Sequence, residues 1–142
     1  MYKSVLVTGT DSKITAEYAE ALAEAVGLFY LSFTDFICYT GCRGSKEEIR
    51  SEGADVYAKI AGICVREAAT YERSVIAAEA EDVTEAMKKA FEKGSYKIYV
   101  ETERGGYQWQ RFGRYVNEYV RLEGESVVRA AEHTARKLAD MI

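Results

Sequence analysis

A short β-branched run at residues 4–8 ends at Gly9, and a segment with helical periodicity follows at once over residues 12–26. Four further short apolar runs, at residues 28–33, 75–77, 98–100 and 119–122, alternate with predicted helices at residues 34–39, 45–71, 83–91, 107–116 and 125–141. Strands that are apolar throughout are covered on both faces. This alternation therefore predicts an α/β fold with helices on both sides of a parallel sheet.

The long helical segment at residues 45–71 contains two local signals. Ser45 followed by Glu48 resembles a capping box, which predicts that the helix begins there. Gly53 predicts that the helix bends or divides. The chain has no internal repeat, low-complexity tract or linker, so we expect a single domain over residues 1–142.

The order of the motifs resembles that of the shikimate kinase family, over roughly the first hundred residues and the tail. Gly27, Leu28 and the run from Phe29 to Ile37 resemble the family's G-L-P-F and D-T-D-E-L-I. Thr40-Gly41 and residues 53–57 resemble its T-G and G-E-x-x-F-R, residues 79–81 stand where it has T-G-G-G, and residues 111–115 resemble its R-x-x-x-Y. The resemblance implies a P-loop kinase-like, three-layer α/β/α domain with a five-stranded parallel sheet in the order 2-3-1-4-5.

The phosphate loop of such kinases reads G-x-x-x-x-G-K-[ST], in which Gly wraps the phosphates, Lys neutralises them and the hydroxyl holds Mg²⁺. Counted from Gly9, those three places hold Ile14, Thr15 and Ala16. The segment is therefore interpreted as a degenerate phosphate loop, comprising Gly9, Asp11, Ser12, Lys13 and Thr15. Either the helix N-terminus with Lys13 still holds an anion, or Asp11 or Ser12 only caps the helix.

Other departures from the family fall where its chemistry lies. The two aspartates of D-T-D, which hold a magnesium water and a substrate hydroxyl in the family, are replaced by Ser32 and Thr34, and the arginine of F-R by Ala58. Glu79 and Glu81 add carboxylates to a site that in the family binds anions. The family's long lid is shortened to residues 101–110, and only Arg111 matches a substrate-contacting arginine.

The shortened segment contains arginines and aromatic residues close together, and it supplies the candidate binding residues Arg104, Trp109, Arg111 and Arg114. These residues suit a clamp on a small anion, because arginine pairs with carboxylate or phosphate and Trp109 can stack on a ring. They equally suit a protein interface, whose anchors are commonly Tyr, Trp and Arg. A third interpretation is that the aromatics close the core and the arginines are solvated.

Composition excludes several classes of function. The 142 residues are 48% hydrophobic with a net charge of −4, which disfavours nucleic-acid and anionic-membrane binding. No membrane-spanning stretch or signal peptide is recognisable, so we expect a cytoplasmic protein. Eleven tyrosines suit half-buried or interface positions and are compatible with a homo-oligomer.

The cysteines and the single histidine do not form a metal-binding set. Cys38, Cys42 and Cys64 are predicted to be reduced, largely buried thiols, because no histidine or further cysteine lies near them in the sequence. His133 lies in the last predicted helix among charged residues, and we expect it to be solvated. The sequence predicts no metal site.

These observations predict a catalytically inactive shikimate-kinase-like protein that acts by protein contact or by sensing a small anion, with no catalytic residue and no cofactor. One alternative is an active small-molecule phosphotransferase with an atypical phosphate site, which would need ATP and Mg²⁺. Another is a structural homo-oligomer. The fold does not decide among them, because function depends on the site.

Overall fold

The computed structural model describes residues 1–102, 112–122 and 124–142. Five parallel strands form one sheet in the order β2-β3-β1-β4-β5. Their bounds are β1 Ser4–Gly9, β2 Phe29–Ser32, β3 Ser74–Ala77, β4 Ser95–Thr102 and β5 Glu118–Leu122. Both the α/β class and the predicted strand order are confirmed.

Within the described ranges six α-helices cover the two faces of the sheet, and each face has its own apolar core. The helices are α1 Ser12–Val26, α2 Phe33–Gly41, α3 Lys46–Ser51, α4 Ala54–Ala68, α5 Glu85–Ala90 and α6 Val127–Leu138. Helices α1 and α6 pack on one face around Tyr18, Leu22 and Leu138. Helices α2 to α5 pack on the other, around Phe33, Ile37 and Met87. This is the expected three-layer arrangement.

Polar caps define where most helices begin. The side chains of Asp11, Ser32, Ser45, Thr84 and Ser126 each accept a hydrogen bond from a backbone N–H in the first turn of the helix that follows. Gly53, with φ of 129°, divides the predicted helix at residues 45–71 into α3 and α4, as its position predicts. A residue with a Cβ would be strained there.

The predicted helix at residues 107–116 is wrong over its described part. Gly113–Tyr115 is a single 3₁₀ turn, and Val116 is extended. The chain turns there because β5 must begin: Asn117 exchanges backbone and side-chain hydrogen bonds with Lys97 in β4, and the Tyr119 hydroxyl donates to the carbonyl of Gly113. Tertiary pairing with β4 thus overrides local helical periodicity.

Two expectations about burial also need correction. Tyr18 is fully buried rather than half-buried, and its hydroxyl is hydrogen-bonded to that of Thr134. Tyr99 in β4 is fully buried, as its apolar run predicts, and its hydroxyl is hydrogen-bonded to that of Thr10. The three cysteines are free, but only Cys64 is buried. Cys42 is exposed because it follows α2 as its C-terminal cap, with φ of 55°. Among the described helices, none combines the length and hydropathy needed to cross a bilayer.

Candidate functional site

The connection between β1 and α1 is only two residues long. β1 ends at Gly9, Thr10 donates its N–H to the carbonyl of Val100, and α1 begins at Ser12. The carboxylate of Asp11 accepts from the N–H of Ile14 at 3.0 Å, so Asp11 caps the helix. Residues 12–15 are therefore helical and do not form an open loop.

Thr15 fills the space behind this connection. Its side chain is 2% exposed, and a Cβ built on Gly9 would lie 2.4 Å from both the Thr15 hydroxyl oxygen and the Val100 carbonyl oxygen. Glycine at position 9 is thus required by the close approach of Thr15 and β4. Within the described ranges the Thr15 hydroxyl has no hydrogen-bond partner. This side chain packs inward rather than reaching towards solvent.

A small cavity of about 190 Å³ lies between the N-termini of α1 and α2. Its charged lining consists of Lys13, Asp35 and Glu79. The helix termini and Lys13 favour an anion, whereas the two carboxylates oppose one. The hydroxyls of the cavity wall are also engaged: Ser32 caps α2 by accepting from the Asp35 N–H, and Thr34 donates to Glu79 at 3.1 Å.

A network of ion pairs with a buried centre lies at the carboxyl edge of the sheet, where the chain leaves β3. We call it the Lys46 cluster, and it consists of Lys46, Arg50, Tyr57, Glu79, Glu81 and Asp82. The Lys46 ammonium lies 2.6 Å from Asp82, 2.9 Å from Glu81 and 3.1 Å from Glu79. Lys46 and Asp82 have side chains only 4% and 2% exposed, so their charges are removed from water. Such charges are tolerated because they are paired.

Arg50 and Tyr57 complete the Lys46 cluster from α3 and α4. Arg50 lies 3.1 Å from Glu81, and its guanidinium stacks 4.3 Å from the centre of the Tyr57 ring. The Tyr57 hydroxyl donates a short hydrogen bond to Asp82. The cluster therefore ties α3 and α4 to the 3₁₀ turn Ala80–Asp82 that follows β3.

The network shifts the protonation of its members. Burial alone would lower the pKa of Lys46, but hydrogen bonds with Asp82 and Glu81 outweigh it and hold the pKa above its ordinary value. The hydrogen bond from Lys46, followed by its charge and the bond from Arg50, lowers the pKa of Glu81 to about 2, although partial burial acts against it. Burial and the bond to Asp82 raise the pKa of Tyr57. At neutral pH Lys46 is therefore charged, Glu81 is ionised and Tyr57 is a neutral phenol.

Sequence reasoning missed four members of this cluster: Lys46, Arg50, Tyr57 and Asp82. It identified Glu79 and Glu81 as carboxylates at a site that binds anions in the family. The structure pairs both with Lys46, and Glu81 also with Arg50. The one available signal was Ser45, whose cap sets Lys46 at the first position of α3.

Most of the candidate binding residues lie outside the described ranges: Arg104, Trp109 and Arg111 fall within residues 103–111. Arg114 is exposed in the 3₁₀ turn that precedes β5. The neighbouring Phe112 is 3% exposed, with its ring centre 5.1 Å from that of Tyr99. For Phe112, the interpretation that the aromatics close the core is therefore the one observed.

Comparisons with solved structures identify this architecture. A shikimate kinase from Bacteroides thetaiotaomicron superposes with a TM-score of 0.79 at 10% identity, over 97% of this chain and 98% of that one. The enzyme from Acinetobacter baumannii, solved in complex with shikimate, gives a TM-score of 0.72 at 12% identity, over 99% and 93%. A gluconokinase from Sinorhizobium meliloti 1021 gives 0.58 at 17% identity, over 98% and 94%.

The sequence itself matches no protein-family model and no curated protein. At identities of 10–17%, the structural likeness concerns the fold and not the chemistry of the site. Small-molecule kinases are thus among the structural neighbours of this chain, and it has a shikimate-kinase-like fold.

Proposed function

We propose that this chain is a non-catalytic protein of the shikimate-kinase-like fold that acts by contacting a protein partner at the carboxyl edge of its sheet. The observation that carries this proposal is the start of α1 at Ser12, two residues after β1. The Ile14 N–H donates to the Asp11 carboxylate and the Thr15 N–H to the Asp11 carbonyl, so these two backbone donors are engaged within a capped helix. Asp11, an anion, occupies the cap.

Phosphoryl transfer asks a protein mainly for positioning and electrostatic stabilisation. Here the lysine position of the phosphate loop is Thr15, which is buried against Gly9, and the hydroxyl position is Ala16. Neither side chain carries a positive charge to neutralise a γ-phosphate, and Ala16 has no oxygen with which to ligate Mg²⁺. The residues present therefore do not fit Mg²⁺-ATP bound as in the P-loop kinases.

The charges at the β3 end of the same edge weigh against a small anion and in favour of a protein contact. Asp35 and Glu79 line the 190 Å³ cavity. The two cations of the Lys46 cluster are already paired with carboxylates of the same cluster. A protein surface can meet such a mixed pattern with its own arginines and lysines. The segment at residues 104–114 contributes Tyr, Trp and Arg, the side chains that most often anchor protein interfaces.

The absence of catalysis is tested by thermal melting with and without 10 mM Mg²⁺-ATP, alongside an ADP-release assay with shikimate and gluconate. A kinase of this size at a hundredfold excess of nucleotide over its Kd would melt roughly 5–10 °C higher. We expect no shift and no turnover. An active shikimate kinase serves as the positive control, and EDTA-sensitive ADP release by this chain would contradict the proposal and favour the phosphotransferase alternative.

A reconstruction of the loop sharpens this test. The triple variant Ile14→Gly, Thr15→Lys and Ala16→Ser restores the three missing residue types. We expect weak nucleotide binding at most and no phosphoryl transfer, because Ser32, Thr34 and Glu79 remain unsuited to Mg²⁺ and substrate. Full kinase activity in this variant would mean that the loop alone separates the chain from an enzyme.

The partner contact is tested by site-specific photo-crosslinking in the native cell, with the photoreactive residue at Trp109 or Arg114. The control position is Lys59, which is exposed on α4. We expect one protein to crosslink from positions 109 and 114 and not from 59. With that partner purified, Arg111→Ala should weaken binding by about 1.5–3 kcal/mol, the usual cost of losing a charged hydrogen bond, and leave the fold intact. Equal crosslinking from all three positions would contradict the assignment.

A further inference from the structure

β2 is an edge strand, with β3 as its one neighbour in the sheet. The Phe29 N–H donates to the carbonyl of Arg73, so the backbone polar groups of Phe29 and Leu31 face β3. Because these groups alternate between the two sides of a strand, the N–H and C=O of Tyr30 and the N–H of Ser32 face outward. Within the described ranges no further strand lies there to pair with them.

The β2 edge lacks the features that normally protect an open strand. Edge strands are usually shielded by charged residues, by proline or by a β-bulge. β2 reads F-Y-L-S, pairs with β3 in regular register, and exposes 65% of Phe29. By contrast, the edge strand β5 contains Glu118 and Arg121, and Arg121 pairs with Glu101. The β2 edge is therefore the better template for an added strand.

Acidic side chains flank the middle of this edge. Burial raises the pKa of Tyr30, and the charges of Glu20 on α1 and Asp35 on α2 add to that effect, so both carboxylates lie close to its hydroxyl. Both are exposed, and the part of the chain that the structure describes gives neither an ion-pair partner. The nearby cations lie towards the ends: Lys13 is about 10.5 Å from Glu20 along α1, and Arg73 adjoins the amino end of β2. The middle of the edge thus favours a cation.

We propose that the outer edge of β2 binds an extended segment of another protein, added to the sheet as a further strand, in which a lysine or arginine stands between two apolar residues. The backbone of that segment pairs with Tyr30 and Ser32. Tyr30 packs on the α1 side of the sheet and Leu31 on the other. The residue opposite Tyr30 therefore places its side chain beside Glu20, which calls for a cation. Its two neighbours lie on the side of Phe29 and Leu31 and are apolar.

Neither a second copy of this chain nor the partner contact proposed above accounts for the β2 edge. Antiparallel pairing of two β2 strands about Tyr30 would bring Glu20 and Asp35 of both copies to one place, where like charges repel. The contact proposed above involves Arg114, which lies in the turn before β5, and β2 and β5 are opposite edges of the sheet. Either contact can therefore fail while the other stands.

A two-dimensional ¹H–¹⁵N NMR titration with the synthetic peptide T-V-K-V-T tests this contact at low salt. Its lysine stands between two valines, and we expect the amide signals of Tyr30 and Ser32 to move most, because their N–H groups gain acceptors. The same peptide with its three central amides N-methylated cannot donate to the ladder and should leave these signals in place. The peptide T-V-E-V-T should bind at least about fivefold more weakly, because its carboxylate faces Glu20.

Matched variants test the two side-chain contacts. Glu20→Lys should weaken binding of the lysine peptide at least about fivefold, whereas Glu132→Lys, an equal charge change at an exposed position on α6, should not. Phe29→Ser should weaken it about threefold, whereas Tyr39→Ser, at an aromatic residue 84% exposed on α2, should have no effect. Unmoved β2 signals at the solubility limit of the peptide, equal binding of the N-methylated peptide, or a wild-type dimer that forms through β2 would each overturn the proposal.

Discussion

The β1 end of the sheet's carboxyl edge is closed by backbone geometry, whereas the β3 end is closed by charge. At β1, a helix that begins at Ser12 and a buried Thr15 occupy the space, and no ion pair is involved among the described residues. At β3, the Lys46 cluster brings three carboxylates and two cations together. The comparison teaches that the same edge of a sheet can be occupied by close packing at one strand and by paired charges at another.

The two ends differ in how much a single substitution should lower the free energy of unfolding. A filled site depends on close packing and one helix cap, each worth about 1–2 kcal/mol. A buried ion network loses about 3–5 kcal/mol when one partner is removed, because the others remain charged and desolvated. Substitutions at the β3 end should therefore destabilise the chain more than substitutions at the β1 end.

Lys46→Met should have the largest effect. It leaves Asp82, Glu79 and Glu81 without their buried cation, and we expect the free energy of unfolding to fall by about 3–5 kcal/mol in urea denaturation. The control is Arg43→Met, which breaks an exposed pair with Glu52 and should cost far less, because solvent screens that pair. Adding Asp82→Leu to Lys46→Met should recover part of the loss. If Lys46→Met and Arg43→Met lower the free energy of unfolding equally, the Lys46 cluster is not desolvated.

Gly9→Ala should have the next largest effect and measures how tightly the β1 end is filled. The added methyl would lie 2.4 Å from the Val100 carbonyl oxygen, which is backbone and cannot swing away. We expect a loss of about 1–3 kcal/mol. Gly62→Ala is the matched control: its nearest heavy atom lies 3.7 Å away inside α4, and the change should stabilise the helix by up to about 1 kcal/mol. A neutral Gly9→Ala would show that β1, Thr15 and β4 move apart at little cost, so that the β1 end is not tightly filled.

Asp11→Ala tests the helix cap by itself. Loss of the bond from the Ile14 N–H should cost about 1 kcal/mol. Asp11→Asn keeps an accepting oxygen and should stay within about 0.5 kcal/mol of the wild type. If both variants cost the same, the contribution comes from the charge of Asp11 at the helix dipole and not from the hydrogen bond.

The strands were predictable because each is a short run rich in apolar residues. β1 and β3 are buried throughout, as Val5 and Val75 illustrate, whereas the edge strands β2 and β5 are only partly buried. Their order came from the resemblance, since periodicity does not specify neighbours in a sheet. The Asp11 cap was predictable because its bond spans three residues. The Lys46 cluster was not, because Lys46 lies 36 residues from Asp82, and a lysine at the start of a helix normally points to water. Only the tertiary fold brings the two together.

The smallest expected effect on stability is that of substituting Glu81, and it is seen only in acid. It gives the most direct measure of charge at the β3 end. Bonds from Lys46 and Arg50 lower the pKa of Glu81 to about 2, against about 4.5 for an unperturbed glutamate. A carboxyl whose pKa is lower in the folded state stabilises the fold above its unfolded pKa, and the contribution is lost as the pH falls towards the folded value. Stability should therefore decline between about pH 4.5 and pH 2.

Glu81 is half exposed, so solvent screens the effect. We expect Glu81→Gln to show a shallower decline over that window in urea titrations, while Glu47→Gln, at an exposed position on α3, follows the wild type. An unchanged slope for Glu81→Gln would assign the acid sensitivity to other carboxyls and remove Glu81 from the network that holds the β3 end closed.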